Sequence, residues 1–144
     1  MPRPPGGPPI GLLLHRVARE VSRAFDARLT AAGGSRSVWL VLLALRRGPV
    51  ASQRELADAL GLRAATLTQQ LDAMESAGLV TRSGDPANRR VHRVELTEAG
   101  LALFDRLRDA AREHDEQLRA GLDEGDVARL AAALEQVRRN VAGA

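Results

Sequence analysis

Four arginines, Arg82, Arg89, Arg90 and Arg93, fall within twelve residues that hold one acid, Asp85. A guanidinium stays charged and presents a planar fork of N–H donors, a geometry that matches phosphate oxygens and the acceptor edges of bases. The run Gly84-Asp85-Pro86-Ala87-Asn88 is dense in turn formers and lies between short β-prone stretches, Val80–Ser83 and His92–Leu96. That pattern predicts a hairpin whose longer loop carries the charge. A second chemistry sits just upstream, on a helix predicted over residues 64–77. Leu67, Leu71 and Met74 recur at helical spacing and mark its inward stripe, so Ala65, Thr68, Gln69 and Asp72 face outward, with Arg63, Ala64 and Thr66 near the N-terminus. Gln69 could bond adenine through two atoms, and Ala65 and the threonine methyls suit the C5-methyl of thymine. Thr68 could equally take a phosphate. For any single one of these residues the alternative is an ordinary solvated position; four arginines in one short loop argue against that for the hairpin.

The charge is uneven. Net charge is only +3, from 21 basic and 18 acidic residues, and every basic residue is arginine. Against the basic stretch stands Arg108 to Asp126, with seven acids and three arginines. One basic segment beside one acidic segment implies a single face that meets a polyanion. Enzymatic chemistry finds little to work with. No cysteine is present, which excludes thiolate catalysis and Cys-type zinc sites. His15, His92 and His114 fall on three different elements, and the Glu113-His114-Asp115-Glu116 cluster lacks an acid at position 111, which is Ala111. No nucleophile elbow or phosphate loop occurs, so neither enzyme activity, metal nor cofactor is expected.

The elements that must position these groups read clearly. Hydrophobic residues make up 44% of the 144, but aromatics only 2%, namely Phe25, Trp39 and Phe104. The core must therefore be Leu, Val and Ala at helical spacing. Residues 1–9 are Pro- and Gly-rich and read as a flexible arm. A first helix follows over residues 10–32, with Leu14, Val17, Val21, Phe25 and Leu29 on one side, ended by Gly33-Gly34. A second, from Val38 to Arg47, is apolar nearly all round and is predicted to be buried. Ser52-Gln53-Arg54-Glu55 is a capping box opening a third helix that ends at Leu60-Gly61. Two short helices joined by a glycine turn are a helix-turn-helix. Thr97 caps a fifth helix, with Leu101, Phe104, Leu107, Ala111, His114 and Leu118 in its stripe, and Asp123 caps a sixth carrying Val127, Leu130, Leu134, Val137 and Val141. The first apolar stretch is too short to span a membrane, so a cytoplasmic protein is expected.

Helix, helix, helix-turn-helix, hairpin, helix, helix, with MESAGLV at residues 74–80 and DPANRRVHRVELTEAG at residues 85–100, strongly resembles the multiple-antibiotic-resistance regulator (MarR) family. The resemblance covers nearly the whole chain from Ile10. It implies a mainly α fold with a small hairpin, a winged helix-turn-helix over residues 35–100, and dimerisation helices at residues 10–32 and 101–144. The function it implies is a homodimeric, double-stranded-DNA-binding transcriptional regulator, a repressor on a pseudopalindromic operator. In the family the arginine matching Arg90 enters the minor groove, aimed by an acid at the place of Asn88; here Asp85 is the remaining acid that could orient it. Arg63 stands where a Ser or Thr would cap the recognition helix, and Gln69 where many relatives have arginine. Many relatives release DNA on binding a small aromatic or phenolic ligand. The matching places hold His15 and Arg19, one turn apart, with Trp39 and, more weakly, Phe104. Trp39 as plain core is the alternative, as is a winged-helix module serving protein–protein contact.

Overall fold

The computed structural model describes residues 6–143, apart from the side chains of residues 85 and 88–92. Its elements are α1 (Ile10–Ala31), α2 (Arg36–Arg46), α3 (Gln53–Leu60), α4 (Ala64–Ser76), β1 (Val80–Asp85), β2 (Asn88–Leu96), α5 (Glu98–Arg119) and α6 (Glu124–Ala142). The chain divides into two compact units, Met1–Ala111 and Arg112–Ala144. Residues 1–5 of the arm lie outside the described residues, and Gly6–Pro9 are exposed.

In the first unit, every element gives a side chain to one aliphatic core. Leu29 comes from α1, Leu42 and Leu45 from α2, Leu56 from α3, Leu67 and Leu71 from α4, Val80 and Val94 from the hairpin, and Leu107 from α5. The first half of α5, with Leu103, Phe104 and Ala110 also buried, thus belongs to the core of the winged helix-turn-helix.

α2 begins two residues earlier than the apolar run suggests, because Ser35 caps it: the hydroxyl accepts from the Val38 amide at 3.2 Å. Its all-round burial is not found. Val41, Leu42 and Leu45 are buried, but Leu40 and Leu43 are 44% and 40% exposed, since a helix lying on one core has an outer face that the same chain does not cover. At α3 the Ser52 hydroxyl accepts from the Glu55 amide at 3.1 Å, but the returning carboxylate bond of the expected box is absent among the described residues. At α6 both halves form, Asp123 with the Asp126 amide and Asp126 with the Asp123 amide. The α1–α2 connection passes close to α5: a Cβ on Gly34 would come within 2.7 Å of the Leu107 side chain.

The hairpin is longer than the residue types suggest. β1 and β2 pair antiparallel from Val80–Leu96 to Asp85–Asn88, leaving only Pro86 and Ala87 as the turn. Backbone pairing carries on through turn-forming residues, and Pro86, with φ already fixed, suits the first central position of a tight turn. The register shifts between Gly84, paired with His92, and Asp85, paired with Asn88, so residues 89–91 bulge out of β2. Val50 adds a third, one-residue strand through two backbone bonds with Val94, of 3.1 and 3.0 Å. No apolar alternation announces it; a lone Val after Gly48-Pro49 reads only as loop.

The end of the hairpin turns into α5 at a tight corner. Thr97 donates its amide to the Leu79 carbonyl and its hydroxyl to the Gly78 carbonyl, while that hydroxyl accepts from the Gly100 amide at 3.0 Å. A Cβ on Gly100 would stand 2.1 Å from the Leu79 carbonyl oxygen. The LTEAG sequence is therefore a helix cap and a backbone-on-backbone contact in one.

Candidate nucleic-acid interface

The facing of α4 follows the expected stripe. Leu67, Leu71 and Met74 are buried, and Arg63, Ala65, Thr66, Thr68, Gln69 and Asp72 are exposed. Arg63 occupies the N-cap with extended backbone and makes no side-chain cap bond, so the helix forgoes roughly 1 kcal/mol that a Ser or Thr would supply. The Gln69 side chain makes no hydrogen bond among the described residues, and its amide oxygen and nitrogen are both available to a ligand. Thr68 is different. Its hydroxyl donates to the Ala64 carbonyl at 2.9 Å and accepts from Gln53 Nε2 at 3.4 Å, so it can donate to a phosphate only by giving up the Ala64 bond.

Arg82 has a different set of partners from those its place in a basic stretch suggests. Its Nη2 lies 2.6 Å from Asp72 Oδ1 and 3.1 Å from Glu75 Oε1, its Nε donates to Glu75 Oε2, and its Nη1 reaches Gln53 Oε1. Its side chain is 16% exposed. The bond from Arg82 holds the Glu75 carboxyl below the usual carboxylate range, and the two acids push the guanidinium up in turn. Residue counting missed this because the acids lie seven and ten positions back, on another element.

Arg89 and Arg90 follow the turn directly, in the bulged part of β2. Their side chains, and those of Asp85 and Asn88, lie outside the described residues, so the expected aiming of Arg90 is not placed. Arg93 is exposed, 3.6 Å from Glu95.

An exposed helix face beside a bulged basic hairpin is what a winged helix presents to the grooves of a duplex. The sequence pattern of the MarR family matches over residues 35–92, from α2 into β2. Residues 35–92 are a MarR-family domain. Solved structures agree over most of the chain. A mutant of MarR from E. coli complexed with operator DNA is 27% identical, covers 90% of this chain and 93% of its own, and superposes with a TM-score of 0.73. The transcriptional repressor CouR bound to a 23-mer DNA duplex is 28% identical over 90% and 92%, with a TM-score of 0.76. A MarR-family regulator from Rhodococcus sp. RHA1 is 28% identical over 89% and 91%, with a TM-score of 0.71. The mainly α winged-helix fold expected from the sequence is thus shown, and the expected family is matched over residues 35–92.

The four residues proposed for a ligand fall into two groups. His15 and Arg19 line an open groove of about 430 Å³ along α1, with Leu12, Leu13, Arg16 and Arg23. Trp39 and Phe104 are not part of that lining; they stack on each other, centroids 5.5 Å apart and planes 15° from parallel. Phe104 is buried, and Arg46 and Arg108 each stand 5.8 Å from its ring centre. The aromatic pair therefore packs the α2–α5 contact. No helix among the described residues is long and apolar enough to cross a membrane.

Proposed function

We propose that this chain is a transcriptional regulator that binds double-stranded DNA as a homodimer, acting as a repressor on a pseudopalindromic operator. The observation that carries this reading is the exposed face of α4, where Ala65, Thr66 and an uncommitted Gln69 stand over a stripe locked into the core. The DNA-bound relatives support it. α6 supports the dimer: none of its 19 residues is buried, and Leu130, Leu134 and Val141 are 51%, 43% and 70% exposed. At the other end of the chain Ile10, Leu12 and Val17 are equally bare. A two-fold pair would present two α4 helices to successive major grooves. Release by a small aromatic or phenolic ligand is part of the same proposal, with His15 and Arg19 on the α1 groove and the Trp39–Phe104 pair as the residues to test.

Anisotropy titration on the DNA flanking its own gene tests the proposal. Gln69→Ala should cost about 1–3 kcal/mol on the best operator and relax preference at one base position. An equal loss on every sequence would make Gln69 a backbone contact and the assigned facing wrong.

The hairpin gives a second expected result. Arg90 is assigned to the minor groove and Arg89 to a phosphate, so removing either should lower the salt slope of binding by about one unit. The two then separate. Arg90→Ala should weaken A/T-flanked operators more than G/C-flanked ones, because a narrow minor groove concentrates negative potential. Arg89→Ala should weaken both alike. Wild-type affinity of Arg90→Ala on A/T-flanked DNA would remove the minor groove from the account.

A further inference from the structure

Arg82 joins three elements with one side chain. All three guanidinium nitrogens are on protein acceptors: Nε on Glu75, Nη1 on Gln53 at 3.4 Å, and Nη2 on both Asp72 and Glu75. The Arg82 backbone amide also donates to Glu75 Oε2, at 3.1 Å. β1 is thus pinned to α4 through two carboxylates and to α3 through Gln53, which itself donates to Thr68 on α4. An exposed single ion pair is worth little, but a fork shared by two acids, one of which also accepts the Arg82 backbone amide, is a network with fixed geometry. Asp72 and Glu75 are 59% and 43% exposed beside the assigned reading face. Left bare, they would repel phosphates.

We infer that Arg82 is a positioning residue, which sets the angle at which the hairpin leaves the recognition helix and masks Asp72 and Glu75 from DNA. It does so without touching the nucleic acid. This rests on the DNA-binding reading above. Two consequences follow from the geometry. Loss of Arg82 should cost twice, once by freeing the hairpin and once by uncovering two carboxylates. The second cost alone should be recovered when both acids are neutralised.

The experiment uses the full chain, with Arg82→Gln, Arg82→Lys and the triple variant Asp72→Asn/Glu75→Gln/Arg82→Gln. Binding is measured by anisotropy across salt, on operator and on unrelated duplex. Arg82→Gln should weaken binding to both DNAs. The triple variant should regain wild-type affinity for unrelated duplex and keep the wild-type salt slope, while its preference for operator stays about tenfold lower. Arg82→Lys should behave like Arg82→Gln for operator preference, because a single ammonium cannot span both acids and Gln53. A slope lower by about one unit in the triple variant, with operator preference intact, would make Arg82 a phosphate contact and overturn the inference. Hydrogen exchange of the free protein gives a readout without DNA. Strand amides of residues 80–85 should exchange about tenfold faster in Arg82→Gln at unchanged melting temperature. Unchanged exchange there would overturn the inference by itself. If wild-type protein bound no duplex, the DNA-binding reading would fail, and the exchange result would still decide whether the clamp exists.

Discussion

Protein carrying Leu130→Glu and Leu134→Glu is expected to sediment as a monomer, or to unfold, and to lose operator binding altogether. The two leucines sit one turn apart on α6 and are about half exposed in the single chain. Fully burying a leucine contributes about 1.5–3 kcal/mol, so covering the exposed half of each makes the pair contribute about 1.5–3 kcal/mol per subunit. Each 1.4 kcal/mol is tenfold in affinity, and two carboxylates forced into the same interface add a desolvation cost on top. A dimer that holds at micromolar concentration therefore cannot survive the change, and a monomer meets only one half-site. α6 itself should stay helical in any folded product, since its Asp123/Asp126 capping box lies well clear of the substitutions. Sedimentation showing wild-type protein already folded and monomeric at micromolar concentration would remove the dimer from the proposal.

Gly100→Ala is expected to destabilise the fold by about 3 kcal/mol or more, at or beyond the upper end for overpacking. The reason is the atom that is met. A new Cβ would lie 2.1 Å from the Leu79 carbonyl oxygen, which belongs to backbone and cannot rotate away. Relief requires moving α5 off the hairpin base, and that breaks the Thr97 bonds to Gly78 and Leu79. For a chain of this length such a loss lowers the melting temperature by about 10 °C. Gly11→Ala is the control. Gly11 lies within α1 with nothing near its missing Cβ, so alanine there should be neutral or stabilising by up to about 1 kcal/mol. Calorimetry that found Gly100→Ala melting with the wild type would show that the corner has slack.

Periodicity made most of the fold readable. The α4 stripe of Leu67, Leu71 and Met74 is both the inward face predicted from spacing and the buried face observed, because three apolar residues on one side of a helix leave no other orientation. What stayed hidden is what long-range contact decides. Val50 pairs with Val94 across 44 positions, and no local pattern marks a one-residue strand. Arg82 reads as one of four equivalent arginines until the fold brings Asp72 and Glu75 beside it. Leu40 and Leu43 show the opposite limit: an apolar run says that a face wants cover, not that its own chain supplies it. His15 and Trp39 are linked through the family resemblance; His15 lines the α1 groove, and Trp39 stacks on Phe104.

The paired backbone bonds between Val50 and Val94 make the hairpin a lever, clamped near its root and reaching outward to the turn. At about 3.3 Å per strand residue, the turn at Pro86-Ala87 overhangs that clamp by roughly 15 Å. Lever arithmetic then applies: a tilt of about 5° at the root sweeps the tip through more than an ångström, enough to make or break a hydrogen bond. Small adjustments in the α2–α3 connection are magnified at the far end. Lengthening the turn would extend the reach of the arm and leave its anchorage untouched, so this is the place where a change of span disturbs the rest of the molecule least.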